Sequence, residues 1–232
     1  CTNGAYVMDK EEQKELVHIS LDKTRAMDLV RKLMTYGVFV EAYVKAEIFG
    51  QYPVVGDETS QAEHFFRPNI RPFILKTRTM ILDLLAHLES LPEGPEKIQI
   101  FYGDERIRER ILDDLRDEFQ GAATDGKGRE RFYDVLESSE GNLEFVLPHT
   151  TKGTAVEALA NHWGYTPDEV MTIGDSENDL SMIRFAGASV AMGNARDNVK
   201  AVARYETTDN NNYGVARALY SAIAHNRELE GK

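Results

Sequence analysis

Asp175, Asn178 and Asp179 crowd one short run, Gly174-Asp175-Ser176-Glu177-Asn178-Asp179. Like charges this close raise one another's energy unless something cationic compensates them. A carboxylate just after a glycine can hold a hard cation such as Mg²⁺, and the glycine lets the backbone turn tightly there. The run follows an apolar stretch, Val170 to Ile173, and precedes a helix-like one, Leu180 to Ala186. The order reads strand, acidic loop, helix. In open α/β sheets ligands bind outside the carboxyl ends of the strands, so the loop is a candidate metal and phosphate site.

Lys152 is the next candidate. It sits in Pro148-His149-Thr150-Thr151-Lys152-Gly153, where a helix begins. A cation at a helix N-terminus faces the positive end of the dipole, so an anion nearby would justify it. Taken alone, an exposed loop lysine is the plainer reading. His149 beside it reads as a loop histidine, in contact with substrate or simply on the surface.

Elements that could position these residues are legible. Gly153 to Trp163 carries Val156, Leu159, Ala160 and Trp163 at helical spacing, with Gly164 where a helix ends. Trp163 and the methionines read as core. Thr166-Pro167-Asp168-Glu169 has the pattern of a helix start. The strand 170–173 follows, then a helix to Ala186, a buried strand 188–192 closed by Gly193-Asn194, a short helix near 196–203, a strand near Tyr205 and a last helix from about Gly214 to His225. Alternating strands and helices imply a parallel sheet with crossovers.

The region from about 16 to 147 differs. A helix opening at Ser20-Leu21-Asp22 carries Ala26, Met27, Val30, Leu33 and Met34 on one face and stops at Gly37. Strands are expected at 38–44 and 97–101, helices at 80–88 and 106–119, and a hairpin from 131–136 and 143–147. The acidic stretch 103–118 reads as a solvated helix face, and residues 50–79 read as irregular. Paired strands with helices suggest an α+β domain inserted into the α/β one.

The totals fit a globular protein of one or two domains: 232 residues, 42% hydrophobic and 28% charged. A net charge of −12 argues against nucleic acid as a partner. The single cysteine, Cys1, excludes an intrachain disulfide and fits a reducing, cytoplasmic setting. No apolar run is long enough for a membrane helix, so no membrane partner is expected. Oligomeric state is not legible.

Lys152-Gly153, then Gly174 to Asp179, then Ala186-Gly187-Ala188-Ser189-Val190-Ala191-Met192-Gly193-Asn194-Ala195 resembles the haloacid dehalogenase superfamily, in particular its Cof-type phosphatases with a large α+β cap. Asn3-Gly4-Ala5 resembles a turn those proteins carry shortly before the cap, and Tyr213-Gly214-Val215-Ala216 their last loop and helix. The resemblance implies a doubly wound, Rossmann-like α/β core from 1–11 and 148–232, with the cap at 12–147. It implies Mg²⁺-dependent hydrolysis of a small phosphomonoester through an aspartyl-phosphate. Sugar phosphates lead as substrate; nucleotides and pyridoxal phosphate are alternatives. Lys152 resembles the lysine that neutralises the phosphoryl group, Asp175 the Mg²⁺ ligand, Asn178 a phosphate or nucleophile contact, and Asp179 the acid that orients the lysine. Asn3 and His149 fall on the phosphate or substrate side.

One part of the family pattern is missing. The nucleophile belongs to an Asp-x-Asp motif, which occurs nowhere in this sequence. The expectation is that the 232 residues are a fragment lacking a strand-helix-strand unit of at least roughly 30 residues, inactive alone. A phosphomutase or phosphotransferase, or a non-catalytic phosphate-binding relic, are the rival functions.

Overall fold

The structure is a computed structural model that describes residues 2–54, 57–120, 131–137 and 141–231. Cys1 and residues 138–140, the tip of the expected hairpin, lie outside the described residues. The elements run β1 Tyr6–Asp9, β2 Lys14–His18, α1 Lys23–Met34, β3 Phe39–Val44, β4 Glu47–Gln51, α2 Glu58–Phe65 and α3 Arg71–Thr77. There follow β5 Thr79–Met80, α4 Leu84–Ser90, β6 Lys97–Phe101, α5 Glu105–Asp114, α6 Arg116–Gln120, β7 Asp134–Leu136 and β8 Asn142–Val146. The rest is α7 Lys152–Trp163, β9 Met171–Gly174, α8 Leu180–Phe185, β10 Ala188–Ala191, α9 Asp197–Lys200, β11 Tyr205–Glu206 and α10 Gly214–Glu230.

The chain divides into two compact units, residues 1–6 with 18–150 and residues 7–17 with 151–232. The first is built on a six-stranded sheet in the order β5-β4-β3-β6-β8-β7. Period-two alternation splits its faces. Val40 and Ala42 stand opposite Ile100 and Ile98, which stand opposite Leu143 and Phe145. These side chains pack with Ala26, Val30 and Leu33 of α1 and Leu84 and Leu88 of α4 in one buried cluster. Each of the Val, Leu, Ile and Phe side chains among them contributes about 1.5–3 kcal/mol through burial. On the alternate positions Glu41 pairs with Arg78 at 3.1 Å and Lys97 with Glu144 at 3.2 Å, while Phe39 and Phe101 pack with Phe66 and Ile74 in a second buried cluster.

The expected strands 38–44 and 97–101 and the helix opened by Asp22 are present, with Asp22 accepting the backbone N–H of Arg25 at 3.0 Å. The hairpin is present as antiparallel β7 and β8. Residues 50–79, expected to be irregular, hold α2 and α3. Pro72 sits in the first turn of α3, where the missing N–H costs nothing. The helix expected from Met80 begins at Leu84 instead, because Asp83 caps it and Met80 pairs in β5. The helix start expected at Thr166 closes after a single 3₁₀ turn, 167–169.

The second unit carries a three-stranded sheet in the order β11-β10-β9, parallel throughout. Ile183, Ala191, Met192 and Val199 form its buried cluster, with Ile173 and Leu180 against them. Trp163, expected in the core, is 55% exposed. Among the methionines Met27 and Met192 are buried, whereas Met8 is exposed. No helix among the described residues is long and apolar enough to cross a membrane.

Candidate active site

β9 and β10 run parallel in register, Gly174 beside Ala191, and Ala191 stands beside Glu206 of β11. The strands therefore end level. The residues just beyond them, Asp175, Met192 to Asn194 and Thr207 to Asn210, line one carboxyl edge, which is where open parallel sheets bind ligands.

Asp179 is the hub of this edge. It is 4% exposed. Its Oδ2 accepts the backbone N–H groups of Asp175 at 2.9 Å and Ser176 at 3.1 Å. Its Oδ1 accepts a hydrogen bond from the Lys152 ammonium. Burial pushes the Asp179 carboxyl up, but the Lys152 ammonium and the two backbone N–H groups outweigh it, so it is held below the usual carboxylate range. Gly174 makes this approach possible: a Cβ there would lie 2.6 Å from the Asp179 Cβ.

Lys152 is the first residue of α7, capped by Thr151, whose side chain accepts the Thr154 N–H at 3.2 Å. The anion that a lysine at a helix start calls for is the Asp179 carboxylate. Close packing of α7 on α8 fixes the position. Gly153 donates its N–H to Ser181 Oγ at 2.9 Å, and a Cβ on Gly153 would meet Ser181 at 2.8 Å.

Asp175 is half-buried. Its Oδ1 accepts Ser176 Oγ–H at 3.1 Å and its Oδ2 accepts Asn194 Nδ2–H at 3.0 Å. A carboxylate offers about four lone-pair sites, so acceptor capacity remains for a cation. Asn178 Oδ1 is buried and has no hydrogen-bond partner among the described residues. A hard-oxygen set of one free-facing carboxylate and an orphaned amide oxygen suits Mg²⁺, which keeps several waters and takes one or two carboxylates. The residues present therefore fit that ion.

Of the residues singled out in the sequence, Lys152, Asp175, Asn178 and Asp179 come together here. Asn3 and His149 belong to the other unit. Asn3 has a left-handed φ of 46° and donates Nδ2–H to the buried Glu144 at 2.8 Å. His149 is exposed, with a left-handed φ of 65°. Sequence reasoning passed over Asn194, which bridges Asp175 and the Asn210 N–H at 3.0 Å. Its signal was its place just beyond a buried strand, equivalent to that of Asp175, but Gly193-Asn194 reads as an ordinary turn.

A family model described as haloacid dehalogenase-like hydrolase matches residues 1–219. The chain belongs to this family. Among curated haloacid dehalogenase-like relatives, phosphatase YwpJ of Bacillus subtilis is 28% identical over 223 residues, 94% of this chain and 76% of that protein. The 5-amino-6-(5-phospho-D-ribitylamino)uracil phosphatase YcsE of the same organism is 38% identical over 116 residues. That match takes in 50% of this chain and 42% of YcsE. A crystal structure of a haloacid dehalogenase-like hydrolase from Bacteroides thetaiotaomicron superimposes with a TM-score of 0.73 at 25% identity, covering 95% of this chain and 74% of that one.

Proposed function

We propose that the chain belongs to a Mg²⁺-dependent phosphatase of small phosphorylated metabolites, with sugar and polyol phosphates as the leading class. The observation that carries this reading is the Asp179 carboxylate. It accepts the Lys152 ammonium on one oxygen and the Asp175 backbone N–H on the other. A cation for a phosphoryl group is thereby tied to an oxygen ligand for a metal at one sheet edge. The names of YwpJ and YcsE support it, and YcsE's ribityl phosphate substrate supports the polyhydroxylated class.

In this reading Lys152 holds the phosphoryl oxygens, Asp179 keeps Lys152 aimed, and Asp175 holds the metal. Mg²⁺ bound there would neutralise charge growing on the phosphoryl oxygens. Asn178 supplies a polar contact at the same edge. Asn3 and His149 are assigned to phosphate or substrate contact on the family pattern alone, as are the division into core (1–11, 148–232) and cap (12–147) and the cytoplasmic setting. On the family pattern the covalent step would fall to an Asp-x-Asp motif, which this sequence does not contain. Its first aspartate would form an oxygen–phosphorus bond as the ester oxygen leaves with a proton from the second, and attack of water on the aspartyl-phosphate would release phosphate and restore the carboxylate.

The test uses a polypeptide in which an Asp-x-Asp strand precedes Cys1, assayed with Mg²⁺ on a panel of sugar, polyol, nucleotide and pyridoxal phosphates. Lys152→Ala is expected to lower kcat at least about a hundredfold, the scale for one preorganised electrostatic stabiliser. Asp175→Asn should raise the Mg²⁺ requirement, and His149→Ala should move KM more than kcat. Near-normal kcat for Lys152→Ala, with loss of turnover on every substrate for His149→Ala, would overturn the assignment.

A further inference from the structure

A second cluster of ligand-type side chains lies away from the carboxyl edge, at the other end of α7. Asp9 closes β1, Glu12 lies in the turn after it, and His162 stands in the last turn of α7. His162 Nε2 lies 3.4 Å from Glu12 Oε2 and 3.8 Å from Asp9 Oδ2. One donor atom from each residue falls within 4.8 Å of the others.

The distances are informative because they are not hydrogen bonds. His162 faces two carboxylates and makes no hydrogen bond to either. Zinc ligands at about 2.0–2.1 Å from the ion in a tetrahedron stand roughly 3.3–3.4 Å apart. The observed spacing matches one of the three pairs, is 3.8 Å for the second and lies within 4.8 Å for the third, so small side-chain rotations would close the set. Asp9 is held in place for this: it is 7% exposed, and its Oδ1 accepts the N–H groups of Glu11 at 2.9 Å and Glu12 at 3.0 Å.

We propose that Asp9, Glu12 and His162 form a binding site for a divalent transition-metal ion of the zinc type. One imidazole and two carboxylates select zinc-class ions over Mg²⁺ and Ca²⁺, which take oxygen ligands. Three protein ligands leave a fourth position for water. The C-terminal end of the α7 dipole adds to the attraction for a cation. The site joins the turn after β1 to the end of α7, so an ion there ties these segments together. It shares no residue with the carboxyl edge and stands or falls independently of the phosphatase reading.

The test is Zn²⁺ binding to the metal-stripped protein by competition with a chromophoric chelator, with Co²⁺ absorption as a report of the coordination. One equivalent is expected per chain, unchanged in Asp175→Asn and weakened at least about tenfold in His162→Gln and in Glu12→Gln, at or above the scale for losing a supporting contact of a metal ligand. Saturating Zn²⁺ should raise Tm by about 5 °C in the wild type and leave Tm unchanged in both variants. Glu12 is exposed, so Glu12→Gln reads the site even where His162→Gln perturbs folding. No binding by the wild type, or binding that both variants retain at full strength, overturns the proposal. So does a Tm loss in His162→Gln that is the same with and without Zn²⁺, the mark of a plain ion pair.

Discussion

In its first turn α7 presents Lys152 to one buried carboxylate, and in its last turn it presents His162 to two carboxylates. The two ends solve opposite problems. At the start, a cation sits against the positive end of the dipole, and only a strong local anion makes it tolerable. Asp179 supplies that anion with both oxygens engaged. At the finish, the dipole favours positive charge, yet the charged groups facing His162 are both negative. The first end is internally matched and its spare acceptor capacity lies four residues before Asp179, on Asp175. The second carries unmatched negative charge in the cluster itself. Charge that looks misplaced against a helix dipole therefore points to a built-in partner in one case and to an external cation in the other.

The largest test of this contrast is stability in a metal-chelating buffer. Asp179→Ala strips the Lys152 ammonium and two N–H groups of their acceptor and is expected to cost about 3 kcal/mol. Asp9→Ala frees two backbone donors in a turn next to solvent and should cost clearly less. Urea unfolding gives both values, and equal costs would break the comparison.

Acid sharpens it further. Both carboxyls sit below their ordinary value of 3.8 in the folded chain. The unfolded chain then binds more protons in the window between the folded and unfolded values, so stability rises with pH there. The contribution is fully present above about pH 5 and is lost as the pH falls through the folded values, below about 3.8. Tm measured from pH 6 down to pH 3 should fall, and fall less steeply in Asp179→Asn. An unchanged slope in that variant would remove Asp179 from the account.

The smallest effects are at the caps. Thr151→Ala removes the acceptor for the Thr154 N–H and should cost about 1 kcal/mol. Gly164 ends α7 with φ at 75°, and Gly164→Ala should also cost about 1 kcal/mol. Thermal unfolding of the two variants should therefore give similar shifts, since the caps, unlike the clusters, are local.

The first end of α7 was legible in the sequence and the second was not. Gly174 to Asp179 announces itself because a strand, a tight turn and several acids are contiguous, and Lys152 because it defies the dipole. Asp9, Glu12 and His162 carry no such signal. His162 is about 150 residues from the other two, and their meeting depends on the turn between the paired strands β1 and β2, which no periodic pattern marks. Short helices were lost for a related reason. α2 and α3 are too brief for the 3.6-residue period to stand out, and the prolines around them read as breakers although Pro72 merely opens α3. Trp163 misled because helical spacing places a residue on a face without saying what covers that face.

A single carboxylate, that of Asp179, closes two amides and an ammonium, and Gly174 lets it lie against the strand end with no room to spare. Withdrawal of the Asp179 carboxylate would leave two amides and an ammonium without their acceptor at once, so the loop has no inexpensive partial opening. Its conformational freedom is surrendered when the chain folds and not when a guest arrives. A visitor to this edge meets a mould already cast, and the affinity it shows is not reduced by the entropy of setting that mould.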